Sequence, residues 1–142
     1  MFHILLVEDN LGDQRLTFEA LKDGRVEKQL HVVQDGVEAM SFLRREDKYA
    51  VMPRPDLVIL DLNLPRRDGR EVLKEMKKDA SLAHIPVVVL TTSNAEEDIV
   101  KSYDLHANCY ITKPVDLDDF FHAVQWIEQF WLTLVQLPPR AV

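Results

Sequence analysis

Cysteine is almost missing: Cys109 is the only one in 142 residues. No disulfide can form within the chain, and a reducing, intracellular setting is expected. Basic residues are outnumbered, 17 against 24 acidic, for a formal net charge of −7. That balance argues against nucleic-acid partners held by charge. No apolar run approaches the roughly eighteen residues of a membrane span. The N-terminus shows no basic region leading into an apolar segment and cleavage site, so no secretory signal is expected. There is no internal repeat, low-complexity segment or linker. The length fits one domain with a full core, and a cytoplasmic protein is the expectation.

What is present is organised around Leu57-Val58-Ile59-Leu60-Asp61-Leu62-Asn63-Leu64-Pro65. Four apolar residues in a row read as a strand buried on both faces, as in a parallel sheet. The run ends on Asp61, and Pro65 confines that acid to a strand–loop junction. Four more short apolar runs flank it: Phe2 to Val7, Gln29 to Val33, Ile85 to Leu90 and Cys109 to Thr112. Helical patterns alternate with them. One follows Asn10 or Asp13 as cap and ends near Gly24; one opens at Gly36; one follows Asp68-Gly69. A fourth begins at a capping box, Ser93 with Glu96 or Asn94 with Glu97. The last runs from Leu117 towards Leu137, where Pro138-Pro139 stops it. Arg44 to Asp56 is a polar loop. The pattern is (βα)5, a doubly wound α/β fold with a five-stranded parallel sheet.

In such a sheet, chemistry collects beyond the carboxyl ends of the strands. Glu8 and Asp9, Asp61, Thr91 and Lys113 all fall there. Three carboxylates without a cation would repel one another, and Mg2+, a hard ion with a preference for oxygen, relieves that. Asp61 is then placed as the nucleophile of a phosphoryl transfer, with Mg2+ and the Lys113 ammonium compensating charge and Thr91 donating a hydrogen bond.

The succession of Glu8-Asp9-Asn10, Asp61-Leu62-Asn63-Leu64-Pro65, Leu90-Thr91-Thr92-Ser93 and Tyr110-Ile111-Thr112-Lys113-Pro114 resembles the receiver domain of two-component response regulators over nearly the whole chain. The resemblance implies a flavodoxin-like receiver fold with strand order 2-1-3-4-5. It implies that Asp61 is the phosphoacceptor, and that Asp9, Asp61 and the backbone carbonyl of Asn63 hold Mg2+, with Glu8 acting through water. Thr91 and Lys113 would contact the phosphoryl group, and the Lys113-Pro114 bond would be cis. Tyr110 would be the aromatic switch, although its ring could equally be plain packing. Such a chain is no enzyme beyond phosphorylating and dephosphorylating itself, and it carries no DNA-binding output domain. Pro53-Arg54-Pro55-Asp56, Asp68-Gly69-Arg70-Glu71-Val72-Leu73, Asn108-Cys109-Tyr110 and Phe130-Trp131-Leu132 further resemble the single-domain regulators of phytochrome-type histidine kinases, which makes such a kinase the expected partner. One departure is His106, where receivers commonly have glycine; a left-handed residue there must be His106 or Asn108.

Other readings of the same residues are weaker. A haloacid-dehalogenase-like phosphatase needs a second acid two residues after the nucleophile, and that position is Asn63. A flavin module needs a hydroxyl-rich first loop, and here the loop is Glu8-Asp9-Asn10. An unphosphorylated scaffold would not need every site residue in place. Cys109 reads as an inert thiol. The five histidines show no metal-ligand spacing and read mostly as surface residues. Arg44-Arg45 and Arg66-Arg67 read as solvated, with Arg66-Arg67 beside Asp61. On the last helix, Phe120, Val124, Ile127, Trp131 and Leu134 form one apolar stripe, and Trp126, Phe130 and Leu137 a second. One helix on a sheet buries one stripe. The second is expected to pack on another copy, making residues 126–142 a dimerisation extension of a single receiver domain, 1–142, without a membrane role.

Overall fold

Five strands form one parallel sheet in the order β2-β1-β3-β4-β5. They are β1 (Phe2–Val7), β2 (Lys28–Val33), β3 (Leu57–Leu60), β4 (Val87–Thr91) and β5 (Cys109–Thr112). The structure is a computed structural model that describes residues 1–24 and 26–139, the side chain of Leu134 excepted. Every residue of β3 and β4 is buried, as unbroken aliphatic runs between two helical layers must be. Along β1, Leu5 and Val7 face a core shared with α2 (Gly36–Arg44) and α3 (Gly69–Lys78). Ile4 and Leu6 face the opposite core, shared with α1 (Leu11–Lys22) and α5 (Leu117–Glu128). Strand periodicity of two sorts these neighbours to opposite faces. The doubly wound receiver fold expected of the sequence is thus the one observed.

Local signals place the helix starts. Asn10, Asp35, Asp68 and Asp116 each cap a helix by accepting a backbone N–H with the side chain, which satisfies donors the first turn leaves free. The exception is α4 (Glu96–Asp104). Its N-cap is Ala95, with no side-chain cap, and neither expected capping box forms. Ser93 Oγ instead donates to Asp98 Oδ2 at 2.6 Å, because Asp98 is already drawn across to Arg70 on α3 (2.8 Å).

His106 takes the left-handed conformation, φ 68°, and Asn108 is left to serve β4: its Oδ1 accepts from Val87 N at 2.9 Å. His84, His106 and His122 are exposed, whereas His3 and His31 stack across β1 and β2 with ring nitrogens 3.1 Å apart. Arg66 and Arg67 are not simply solvated: Arg66 pairs with Asp35 (3.1 Å) and Arg67 with Glu75 (2.9 Å).

The last helix departs most from expectation. It stays α-helical only to Glu128 and continues as a π-helical turn, Gln129–Leu134. Val135 N–H bonds Phe130 O five residues back, and the chain is extended from Val135, three residues before the prolines. Five-residue spacing explains the core register. From Ile127 the next buried apolar side chain is Leu132, five positions on, where an α-helix would have brought Phe130 or Trp131 inward. Trp131 lies half-buried at the core margin. Trp126 is 45% exposed and stacks on Phe130 with ring centroids 5.0 Å apart. Leu137 packs against the α1–α5 core. The two stripes are therefore only partly segregated, and Leu134's side chain lies outside the described residues.

Candidate functional site

The carboxyl ends of β1, β3, β4 and β5 bring Glu8, Asp9, Asp61, Thr91 and Lys113 to one edge. Backbone bonds set their height: Asp61 N–H to Val7 O (3.1 Å), and Lys113 N–H to Thr91 O (2.7 Å). Gly69 lets α3 begin hard against the acid. A Cβ there would lie 2.3 Å from Asp61 O, a distance no side chain tolerates.

Asp61 is 6% exposed and each carboxylate oxygen is claimed. Oδ1 accepts from Thr91 Oγ1 (2.7 Å) and Asn63 N–H (3.1 Å); Oδ2 accepts from Lys113 Nζ (3.1 Å). Lys113 also donates to Glu8 Oε1 and, at 2.8 Å, to Asp13 Oδ2. Glu8 is nearly sealed, and Asp9 is exposed. Burial pushes Glu8 up to about 7; the Asp61 charge adds to this, and the Lys113 hydrogen bond opposes it. Burial works against the Lys113 charge too, but hydrogen bonds to Asp13 and Glu8 and the Asp61 charge outweigh it and hold this ammonium above the ordinary lysine range. One cation thus faces several acids in a largely buried place, where unbalanced charge is costly. Oxygens of Glu8, Asp9 and Asp61 lie within 4.8 Å of one another, a hard-donor set suited to a divalent ion.

All five expected side chains converge. Asn63 enters by its backbone N–H. The Lys113–Pro114 bond is trans, since no described peptide bond is cis, so the cis bond implied by the resemblance is not adopted; trans is the lower-energy form unless a turn demands otherwise. Tyr110 is half-buried against the α2–α3 core, and its hydroxyl donates to Ser93 O at 2.7 Å. Cys109 is half-buried, with its thiol pushed up by burial, which suits the inert reading.

Two features escaped the sequence. Asp13 presents only as a capping candidate for α1, and nothing local pairs it with a lysine 100 positions away. Arg70 grips Asp98 through Nε (2.9 Å) and Nη2 (2.8 Å) and also holds Asp68 (3.0 Å). With the Ser93–Asp98 and Tyr110–Ser93 bonds, this links α3, α4 and β5 around the loop after Thr91. The faint signal was a third acid, Asp98, in the first turn of α4 beside the two of the expected capping boxes.

Residues 4–125 match the response regulator receiver domain family. The chain belongs to it. This receiver is 53% identical over 135 residues to the response regulator Rcp1 of Synechocystis sp., covering 95% of the chain and 92% of that protein. Its fold is similar to the crystal structure of the phosphorylated cyanobacterial phytochrome response regulator RcpA, with TM-score 0.95 and 55% identity over 97% of this receiver and 99% of that chain. The Mn2+-bound form of Rcp1 is equally similar, at TM-score 0.95 and 52% identity over 98% and 100% of the two chains. Among the described residues of this receiver no helix is long and apolar enough to cross a membrane.

Proposed function

We propose that this receiver accepts a phosphoryl group on Asp61 from a phosphohistidine of a phytochrome-type sensor kinase and signals through protein–protein contacts. The observation that carries the reading is the division of labour on Asp61. Thr91 and Lys113 hold different oxygens of one buried carboxylate, with Glu8 and Asp9 beside it. A carboxylate oxygen attacks phosphorus, the phosphorus–nitrogen bond of the donor breaks, and the imidazole leaves, its proton supplied by water. Lys113 turns its N–H from Asp61 Oδ2 to a phosphoryl oxygen, and Thr91 turns its hydroxyl to another. Asp9, Asp61, the Asn63 carbonyl and, through water, Glu8 would hold Mg2+, which when bound offsets the charge on the phosphoryl oxygens. No other substrate is turned over: phosphorylation and dephosphorylation of its own aspartate are the whole chemistry. The similarity to RcpA, a phytochrome response regulator, and to Rcp1 in its Mn2+-bound form supports the kinase class and a divalent ion.

Thr91, in leaving Asp61, would draw the following loop, and the Tyr110 hydroxyl is bonded to that loop at Ser93 O; Tyr110 is the proposed switch. Residues 126–142 would serve as a dimerisation extension of a single receiver domain. The exposed Trp126, stacked on the half-buried Phe130, supports this. Residues 140–142 lie outside the described residues. Sedimentation of the intact chain at micromolar concentration should give a dimer that Trp126→Ala shifts towards monomer.

The decisive test is incubation with Mg2+ and acetyl phosphate. Phosphoryl uptake should be complete for the intact chain and absent for Asp61→Asn, which keeps the shape of the side chain and cannot form the acyl phosphate. Uptake by Asp61→Asn would end the reading.

A further inference from the structure

We infer that Asp13 is a positioning residue for phosphoryl transfer, the acid that keeps the Lys113 ammonium in place once the site is loaded. The inference rests on the reading of Asp61 as phosphoacceptor.

A lysine ammonium has three donors, and Lys113 spends one each on Glu8 Oε1, Asp13 Oδ2 and Asp61 Oδ2. Two of those acceptors have other duties. Glu8 and Asp61 both belong to the trio of carboxylates close enough to hold a metal ion, and Asp61 gives up its carboxylate charge when it is phosphorylated. Asp13 lies outside that trio. It is the one carboxylate partner of Lys113 that neither a metal ion nor the phosphoryl group draws away.

Asp13 is itself firmly seated. Its N–H donates to Asn10 Oδ1 at 2.9 Å, and its carbonyl accepts from Thr17 Oγ1 at 2.7 Å, so the first turn of α1 fixes its backbone. Its side chain is about three-quarters covered, where a charge-assisted hydrogen bond keeps more of its strength than at an open surface. Without this tether, the flexible four-carbon stem of Lys113 would be free to follow Glu8, and the ammonium would no longer stand where the phosphoryl oxygens arrive. Misplacement of a charge-compensating group by an ångström is costly to the rate. The metal ligands would be untouched.

The experiment follows phosphorylation of the full chain by acetyl phosphate with Mg2+, resolving the saturating rate from the donor concentration at half saturation, while calorimetry reports Mg2+ affinity. Asp13→Ala should lower the saturating rate roughly tenfold and leave Mg2+ affinity within about twofold, because Asp13 is not among the close-set carboxylates. Asp13→Asn, which keeps an acceptor oxygen and loses the charge, should fall between. The distinguishing readout is the double-mutant cycle: in a Lys113→Ala chain, adding Asp13→Ala should change the residual rate less than about twofold. A wild-type rate in Asp13→Ala, or the same loss with and without Lys113, overturns the inference. Asp61→Asn run alongside separates the two levels: uptake in that variant removes the phosphoacceptor reading itself, whereas its failure there with an unaffected Asp13→Ala removes only the role of Asp13.

Discussion

Two lysines are buried against carboxylates at opposite edges of the sheet, and their surroundings differ in charge balance. Lys28, at the start of β2, pairs with one acid: Nζ lies 2.7 Å from Glu128 Oε1 and 2.8 Å from Val26 O, the two side chains 9% and 5% exposed. Lys113, beyond the end of β5 and 5% exposed, faces three, Glu8, Asp13 and Asp61. Among the described residues the first arrangement is neutral and closed. The α1–β2 turn wraps it so tightly that a Cβ on Gly24 would lie 1.7 Å from Glu128 Oε2, and it fastens the end of α5 where the π-turn begins. The second carries surplus negative charge and is complete only when more cation, or an anion bridged by cation, arrives. A one-to-one buried pair is a fastening; a three-to-one cluster is a site.

The largest effect expected from breaking this contrast is at the neutral pair. Glu128→Ala strands a buried ammonium and should cost about 3 to 5 kcal/mol, read from urea unfolding and insensitive to Mg2+. Replacing both partners by apolar residues should recover most of that loss, since it removes the stranded charge along with the pair.

The crowded site should instead respond to pH. Glu8 sits at about 7 in the fold against an ordinary 4.5, so between those values the folded chain binds more protons than the unfolded one. Stability contributed by protonated Glu8 is therefore full near pH 4.5 and lost as pH rises to 7, by about 2 to 3 kcal/mol at the conversion of 1.36 kcal/mol per pKa unit. Urea midpoints at pH 5 and pH 7 without metal should show this fall. Mg2+, which favours the charged carboxylate, should reduce it, and its affinity should rise over the same interval.

The smallest effect sharpens the comparison by its sign. Asp9→Asn removes one charge from the surplus and should leave stability unchanged or raise it by less than about 1 kcal/mol, because Asp9 is exposed and screened. It should weaken Mg2+ binding more than Glu8→Gln does, as calorimetry would show. A loss of stability in metal-free Asp9→Asn as large as that of Glu128→Ala would erase the distinction between the two lysines.

The sequence by itself determined the sheet and the centre of the site. A run such as Leu57–Leu60 can satisfy its apolar side chains only between two layers, and the acid, threonine and lysine that end β3, β4 and β5 are carried to one edge by parallel topology. Side chains that act at their own strand end are legible because the backbone alone delivers them. Tertiary structure decided the rest. Asp13 became a partner of Lys113 because α1 lies beside the β5 loop, Ser93 left its expected capping role for Asp98, which Arg70 holds from α3, and Glu128 was buried against Lys28 of β2. The π-turn after Glu128 likewise follows from which residue the core admits, Leu132 rather than Trp131. Each of these rests on pairings between residues distant in the chain, and local periodicity holds no term for them.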